Sequence, residues 1–231
     1  WGCSAADFDN DGFADIYIAN GHESRATVHE YEPEFWLHDI YVSNSANNPA
    51  ANLYFQSKFT RTRGQGDSYG GYQQNQLYLN LGGAAFFEAG FLLGAELERD
   101  CRNVVTGDLD GDGGMDLLVT TFEVWPESRQ SLCIYQNRFS DRGCWIGFRF
   151  REQGRAKTLA GTSVTIHYGS QAATSQIVTG DSYRCQSANA VHFGLGNAQK
   201  VDWAEISWPG GQTTRIDAPE INRWNPINRE N

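Results

Sequence analysis

The chain has neither an excess of basic residues nor a long apolar run. Its 18 lysines and arginines are outnumbered by 28 aspartates and glutamates, which gives a net charge of −10. Because a nucleic-acid-binding surface needs clustered positive charge, nucleic acid is not an expected partner. The longest apolar stretch lies around Phe91 and is far shorter than the roughly 18 residues that a transmembrane helix needs. We therefore expect no membrane-spanning segment.

Grouped cysteines are also missing. The chain has five cysteines, and they form no CxxC pair and no zinc-like group. Cys133 and Cys144 flank a predicted turn, and their spacing is consistent either with a hairpin disulfide or with two separate buried thiols. Because the number of cysteines is odd, at least one thiol is free or pairs outside this chain.

The sequence contains no phosphate-binding glycine loop followed by Lys and Ser or Thr, and no His-Glu-x-x-His. Those patterns mark nucleotide sites and zinc hydrolases. We therefore assign no catalytic residue and no cofactor-binding residue apart from metal ligands. A binding function is favoured over an enzymatic one.

One nine-residue acidic loop occurs twice in the chain. Each copy has Asp at positions 1, 3, 5 and 9 and Gly at position 6. Four carboxylates this close repel one another unless a hard cation lies between them, and Ca²⁺ takes six to eight oxygen ligands. The backbone carbonyl at position 7 supplies a further oxygen. We therefore predict two Ca²⁺ sites. Their ligands are Asp7, Asp9, Asp11, Phe13 and Asp15 in the first site, and Asp108, Asp110, Asp112, Gly114 and Asp116 in the second.

The loops resemble the first half of an EF-hand but differ from it at position 12. Ile18 and Val119 stand where an EF-hand needs its bidentate glutamate. The segments that follow the loops, starting at Ile16 and Leu117, are short and rich in β-branched and apolar residues. Such residues favour strands over helices. We therefore expect each loop to connect the two strands of a β-hairpin.

A second shared element follows each loop and reveals the length of the repeat. It occupies residues 76–80 in the first copy and 133–137 in the second. Tyr78 follows Asp7 by 71 positions whereas Tyr135 follows Asp108 by 27, so the first copy carries 44 additional residues. Without them the period is 57 residues. This period predicts radially repeated four-stranded sheets.

Two groups of motifs resemble known families. The acidic loop, the Leu-Tyr-x-Asn element and residues 82–86 are similar to the FG-GAP or VCBS-type β-propeller repeat. Residues 161–169, 180–187, 192–196 and 201–211 resemble the ASPIC/UnbV domain, which follows such repeats in the cartilage acidic protein family and its bacterial relatives. This resemblance implies a calcium-binding β-propeller with a small C-terminal β domain, located outside the cell, at its surface or in the periplasm. It also implies a structural role for His192.

We therefore expect an all-β fold with a partial β-propeller. Residues 1–140 are predicted to form two propeller blades with an insertion at about 22–75. Residues 141–220 are predicted to form the ASPIC/UnbV-like β domain, and residues 221–231 a C-terminal tail. Because a propeller closes with about four to eight blades, we expect the chain to be the C-terminal portion of a longer protein, or its missing blades to come from other polypeptides.

The insertion is the most individual segment of the chain. It contains three of the five histidines, His22, His29 and His38, and many aromatic residues. Long insertions between strands emerge at the surface and often carry binding function. Both a partner or ligand site and a self-packed flap are consistent with this composition. The irregular spacing of the histidines does not indicate a metal site.

These features predict a calcium-binding extracellular binding or adhesion module, or a subunit of an assembly. Ca²⁺ would rigidify the loops, and the insertion would present a contact surface to a protein or a glycan. The alternative is an enzyme, a hydrolase or a cyclase, with its active site in the insertion or at the propeller centre. A deep pocket that gathers two or more of the insertion's histidines with nearby acids would favour the enzyme.

Overall fold

The computed structural model describes residues 2–33, 35–36, 48–64, 66–151 and 158–228, with the side chains at 59 and 62–64 excepted. Within these ranges most of the regular structure is β-strand, and the strands form four sheets of three or four strands each. The predicted all-β class is confirmed. None of the described helices is long and apolar enough to cross a membrane.

The first sheet contains the first acidic loop. Its strands, in spatial order, are β1 (Cys3–Ala6), β2 (Asp15–Ile18), β3 (Gln76–Asn80) and β4 (Phe86–Glu88). β1 and β2 are antiparallel with Ala6 opposite Asp15, so the acidic loop connects a hairpin, as predicted. Along β2, Asp15 and Tyr17 are buried whereas Ile16 and Ile18 are partly exposed. This alternation is the pattern of a strand with one face on a core.

The insertion leaves the first sheet after β2 and returns before β3. It contains the helix α1 (Pro49–Gly64), which the expected all-β fold does not include. The side chain of Asn48 accepts the backbone N–H of Ala51 at 3.1 Å and so caps the helix N-terminus. Proline in the first turn costs nothing, because the N–H that it lacks has no partner inside the helix. Local sequence therefore explains where this helix begins.

The second sheet has three strands, which repeat the arrangement of β1, β2 and β3. Its strands are β5 (Cys101–Gly107), β6 (Asp116–Glu123) and β7 (Arg129–Tyr135), and the second acidic loop connects β5 to β6. Ile16 pairs with Tyr78 in the first sheet, and Leu117 pairs with Tyr135 in the second. In both sheets the residue after the last Asp of the loop lies opposite the Tyr of the shared element. The sequence repeat is therefore also a repeat of strand register.

The first two sheets share one hydrophobic core. Its buried residues are Phe8, Tyr17, Ala19, Leu77, Ala95, Cys101, Val104, Leu117 and Val119. The short helix α2 (Gly90–Leu93) lies in the connection between the sheets. The Tyr17 hydroxyl donates to the carbonyl of Ala95 at 2.8 Å and accepts from the Asn75 side chain at 2.9 Å. Its polar atom is therefore satisfied although the ring is fully buried.

The C-terminal unit consists of two further sheets. The first contains β8 (Cys144–Arg151), β11 (Ala190–Gly196) and β14 (Trp224–Asn228). The second contains β9 (Ser163–Tyr168), β10 (Gln171–Gln176), β12 (Trp203–Ser207) and β13 (Thr213–Asp217). Both sheets contribute side chains to a second core. Among its buried residues are Ile146, Phe148, Val164, Ile166, Phe193, Ala204 and Ile206.

The predicted tail at residues 221–231 is in part a strand. β14 pairs in parallel with β8, with Ile227 opposite Phe150. Ile227 is buried in the second core, so this strand gains hydrophobic stabilisation as well as backbone hydrogen bonds. Residues 224–228 therefore belong to the C-terminal unit.

All five cysteines are free thiols. Cys133 packs against the first core and Cys144 against the second, so the hairpin disulfide that their spacing allowed is not formed. Cys101 lies in the first core, and burial raises the pKa of its thiol to about 11. A thiol with so high a pKa is a poor nucleophile at neutral pH.

Candidate metal centres at the paired acidic loops

The first acidic loop gathers its carboxylates around one point. Oxygen atoms from Asp7, Asp9 and Asp15 all lie within 4.8 Å of one another. The loop turns through Asn10 and Gly12, whose φ angles are 61° and 97°. Glycine adopts a positive φ without steric cost, and Asn tolerates it better than most residues. The Asp spacing thus brings three hard oxygen ligands together, as a Ca²⁺ site requires.

Backbone N–H groups hold these carboxylates in place. Asp7 accepts the N–H of Asp11 at 3.1 Å and the N–H of Gly12 at 2.8 Å. Asp11 in turn accepts the N–H of Phe13 at 2.8 Å. Bonds within the loop therefore contribute to its conformation.

The first loop concentrates negative charge. None of its carboxylates forms an ion pair with a basic side chain of the described residues. Burial, together with repulsion from Asp11, Asp9 and Asp15, raises the pKa of Asp7 to about 7. Burial also raises the pKa of Asp15 to about 6. A carboxyl group with a raised pKa is one whose charge is poorly stabilised by its surroundings. A cation among these oxygens would supply the missing stabilisation.

The second acidic loop gathers Asp108, Asp110 and Asp112 within the same 4.8 Å but offers its acids protein partners. Arg142 pairs with Asp112, with 2.7 Å between Nη2 and Oδ2. Trp224 donates its ring N–H to Asp108 at 2.6 Å. The hydrogen bond from Arg142 lowers the pKa of Asp112. The protein itself therefore balances part of the charge of this loop, unlike that of the first.

The last Asp of each loop has the same structural role in both copies. Asp15 accepts the N–H of Phe8 at 2.8 Å and the N–H of Asn80 at 2.7 Å. Asp116 accepts two N–H groups at the equivalent positions, at 2.9 and 2.8 Å. Both carboxylates are buried. Each fastens its loop to the Asn of the shared Tyr-x-Asn sequence, which ends β3 in the first sheet and follows β7 in the second.

The two loops contact each other and the C-terminal unit. Asn10 is 1% exposed and donates its side-chain N–H to the carbonyl of Gly113 at 3.2 Å. The N–H of Gly196 donates to the carbonyl of Asn10 at 2.8 Å, and the N–H of Gly143 donates to that of Asp9 at 2.9 Å. The loops therefore form the surface against which the C-terminal unit packs.

Gly194 on β11 brings the C-terminal unit against a predicted metal ligand. A Cβ atom at this position would lie 1.9 Å from Oδ2 of Asp7 and 2.7 Å from Cα of Asn10. Real Cβ atoms do not approach other atoms so closely. Only glycine therefore allows this contact between β11 and the first loop.

The C-terminal unit, which packs on the two loops, is similar to a known family. Residues 153–230 match the ASPIC and UnbV family model. The match spans β9 to β14 and so includes Gly194 and His192. It confirms the ASPIC/UnbV part of the resemblance described above. β8, which precedes the match, pairs with two strands of the ASPIC/UnbV domain and completes one of its sheets.

Similar curated proteins are named cartilage acidic protein 1. The protein from Xenopus tropicalis is 29% identical over 118 residues, which are 50% of this chain and 18% of that protein. The proteins from Homo sapiens and Mus musculus are 29% identical over 128 residues, which are 54% of this chain and 18% and 19% of theirs. The match thus spans about a fifth of the length of these relatives.

His192 of the ASPIC/UnbV domain lies at the junction with the second loop. Its ring stacks on Trp145 at 5.5 Å between centroids and lies 6.0 Å from the ring of Trp224. Its Nε2 lies 3.1 Å from the carbonyl oxygen of Gly113. Burial lowers the pKa of His192 to about 4. The imidazole is therefore neutral at pH 7, which fits the structural role that the resemblance implies.

The neutral state of His192 makes the junction sensitive to acid. The folded pKa of about 4 lies below the ordinary value of 6.5, so the unfolded chain binds the proton first as pH falls. The contribution of His192 to the free energy of unfolding is full above pH 6.5 and is lost towards pH 4. Allowing for the partial solvent contact of the ring, we expect a loss of about 2 kcal/mol.

The measurement for His192 is urea unfolding of the native chain and of His192→Gln between pH 7 and pH 4. Glutamine keeps a donor for Gly113 but does not titrate. Asp7 and Asp15 have raised pKa values, so their protonation favours the fold and gives the opposite pH dependence. The difference between the two proteins isolates His192. An equal pH dependence in both would contradict the prediction.

Six of the eight Asp predicted as metal ligands are brought together in two clusters of three, and Asp11 and Asp116 are not among them. The carbonyl ligands predicted at Phe13 and Gly114 stay predictions. Sequence reasoning missed Arg142 and Trp224, which contact the second loop from 30 and 116 residues away. No local pattern signals contacts at such separations.

Residues 66–70 spell Gly-x-Ser-x-Gly, a pattern that can mark a nucleophile. Here Ser68 is fully buried. Its hydroxyl donates to the carbonyl of Thr27 at 2.5 Å and accepts the N–H of Arg25 at 3.0 Å. Ser68 takes part in a β-bridge with Glu30 rather than in a strand-to-helix turn. Its role is structural.

Within the described residues, the cleft of the insertion does not bring together two of the histidines that would favour an enzyme. The cleft is lined by His22 but not by His29. His38 lies outside the described residues. Two glutamates line the cleft beside His22, and no second histidine joins them within the described part of the chain.

Proposed function

We propose that this chain is a calcium-binding extracellular binding module. Two Ca²⁺ ions rigidify the acidic loops of FG-GAP/VCBS-type propeller blades, and the insertion presents a contact surface to a protein or a glycan. One observation carries the proposal: Asp7, Asp9 and Asp15 converge within 4.8 Å in a loop whose charge no described basic side chain pairs with.

The donor set of the first loop fits Ca²⁺. All three clustered ligands are carboxylate oxygens, and no histidine or thiol accompanies them. Ca²⁺ is a hard cation that prefers oxygen, whereas zinc sites usually contain nitrogen or sulfur ligands. When bound, the ion supplies positive charge where burial and repulsion leave Asp7 with a pKa of about 7.

The second loop is expected to bind Ca²⁺ more weakly than the first. Its oxygen cluster has the same chemistry, but Arg142 already pairs with Asp112 at 2.7 Å. An ion must compete with this guanidinium and with the ring N–H of Trp224 on Asp108. For extracellular modules, typical dissociation constants are about 10⁻⁴ to 10⁻³ M.

The propeller part of the proposal is supported by the repeated strand register of the first two sheets. Apolar side chains remain exposed on the outer strands: Phe86 and Phe87 on β4, and Leu132 and Ile134 on β7. Exposed apolar patches mark contact surfaces. We propose that further blades, or further chains of an assembly, cover these strands.

Differential scanning calorimetry with and without a chelator tests the calcium role. Ca²⁺ binds the folded loops and not the unfolded chain, so it should raise the melting temperature. At a concentration one hundred times the dissociation constant, one site adds about 2.7 kcal/mol to the free energy of unfolding. Isothermal titration should show two ions per chain. Because Asp7 is partly protonated at pH 7, binding should also release protons.

Single replacements assign the two ions to the two loops. Asp9→Ala should abolish the tighter event, and Asp110→Ala should abolish the weaker one. Glu127→Gln changes the charge of an exposed residue outside both loops and should leave both events intact. An unchanged melting temperature together with no calorimetric binding of Ca²⁺ would refute the proposal.

A further inference from the structure

The insertion forms an open cleft of about 670 Å³ beside the first sheet. Much of its lining is aromatic. The rings are those of His22, Tyr31, Phe35, Trp36 and Tyr69. Phe35 meets Tyr69 at 5.2 Å and 83°, and it meets Trp36 at 5.4 Å and 78°. Edge-to-face contacts of this kind turn neighbouring ring faces in different directions, so several π faces border the same space.

The base of the cleft is held by hydrogen bonds. Glu23 and Tyr69 form a β-bridge, and Asp100 accepts both the N–H and the hydroxyl of Ser24 at 2.8 and 2.7 Å. Tyr31 donates its N–H to the carbonyl of Ser68 at 2.9 Å. These bonds tie the two ends of the insertion to each other and to Asp100, which precedes β5, so the cleft walls are preformed.

The cleft carries negative charge. Glu23 and Glu32 line it, and the described lining contains no lysine or arginine. Glu23 is ion-paired with Arg25, so Glu32 is the lining carboxylate that no described basic side chain pairs with. Glu32 accepts the ring N–H of Trp36 at 3.2 Å, which places a carboxylate beside an indole that is 51% exposed. Burial and the charges of Glu32 and Glu30 raise the pKa of the Tyr69 hydroxyl. Burial lowers the pKa of His22, so its ring adds no positive charge at neutral pH.

We propose that this cleft binds an organic ammonium group, of the kind carried by choline or by a methylated lysine side chain. The π faces attract the cation, Glu32 balances its charge, and the rings cover its methyl groups. The inference rests on the proposed role of the insertion as a contact surface, and it names the ligand chemistry. A neutral sugar gains nothing from the net negative charge of the cleft, so charge dependence separates the two ligand classes.

The test is calorimetric titration of the full chain with choline and with 3,3-dimethyl-1-butanol, its uncharged isostere. Choline should bind at least about fivefold more tightly than the isostere. Trp36→Ala should weaken choline binding by about fivefold. Glu32→Gln keeps an acceptor for Trp36 but removes a negative charge. It should therefore weaken the binding of choline and leave the affinity for the isostere unchanged. Phe91→Ala and Glu127→Gln, at exposed positions outside the cleft, should change neither affinity.

Two further comparisons complete the test. One identifies the source of the ammonium group, and the other separates this inference from the calcium proposal. Tighter binding of a trimethyl-lysine peptide than of choline supports a protein partner, whereas equal binding supports a small molecule. Equal affinities for choline and its isostere, or preferential binding of methyl glucoside, would overturn the inference. Choline binding that persists in a chain that binds no Ca²⁺ refutes only the calcium role. Ca²⁺ binding without choline binding refutes only the cleft assignment.

Discussion

Replacing Gly194 with alanine should lower the free energy of unfolding by about 3 kcal/mol. The new methyl group would lie 1.9 Å from Oδ2 of Asp7 and 2.7 Å from Cα of Asn10. The Asp7 carboxylate can rotate away from the new methyl group. The backbone of Asn10 cannot move in the same way, because its carbonyl accepts the N–H of Gly196. The strain therefore falls on the junction between the first loop and the ASPIC/UnbV domain. Urea unfolding measures the change.

Gly107 is the matched control for Gly194. It also lies on a strand, β5, but a Cβ atom there has no neighbour within 4 Å. Gly107→Ala should change stability by less than about 0.5 kcal/mol. Gly194→Ala should also weaken Ca²⁺ binding at the first loop, because Asp7 must move. Equal stability of the two variants would show that the junction does not contribute to the fold.

Replacing Asp116 with alanine should cost about 3 kcal/mol even when calcium is absent. Asp116 is buried and accepts the N–H groups of Leu109 and Asn137 at 2.9 and 2.8 Å. Alanine leaves both donors unsatisfied, and a buried donor without a partner costs roughly 1–3 kcal/mol. The effect arises from backbone hydrogen bonds rather than from metal binding. Urea unfolding in chelator measures it.

Asp110 in the same loop provides the contrast. It is exposed and belongs to the oxygen cluster, whereas Asp116 lies outside that cluster. Asp110→Ala should therefore leave stability in chelator nearly unchanged and should remove the weaker Ca²⁺ binding event. If Asp116→Ala proves neutral in chelator, the structural role assigned to the last Asp of each loop is wrong.

The comparison of Asp110 with Asp116 shows that residues of one sequence motif can have different structural roles. In sequence, the four Asp of a loop are equivalent members of one pattern. In the fold, the last Asp bonds to the N–H of an Asn that lies 21 residues further along in the second copy and 65 in the first. The recurrence of Tyr-x-Asn after each loop was visible in the sequence, but its link to the last Asp was not.

The two loops also differ in a way that their sequences do not show. Both contain four Asp and a Gly at the same positions. Arg142 and Trp224 approach only the second, because the chain after β7 and the last strand of the ASPIC/UnbV domain pass that loop. The different pKa values of Asp7 and Asp112 are therefore consequences of packing.

The sequence by itself determined the hairpins, the repeated strand register and the ASPIC/UnbV resemblance. Strand alternation and Asp-Gly turns depend on neighbouring residues, so they can be read locally. The tertiary structure alone decided that β14 joins β8, that both loops pack on the C-terminal unit, and that five rings of the insertion border one acidic cleft. These features join residues far apart in the chain, and their positions follow from how the sheets pack around two cores.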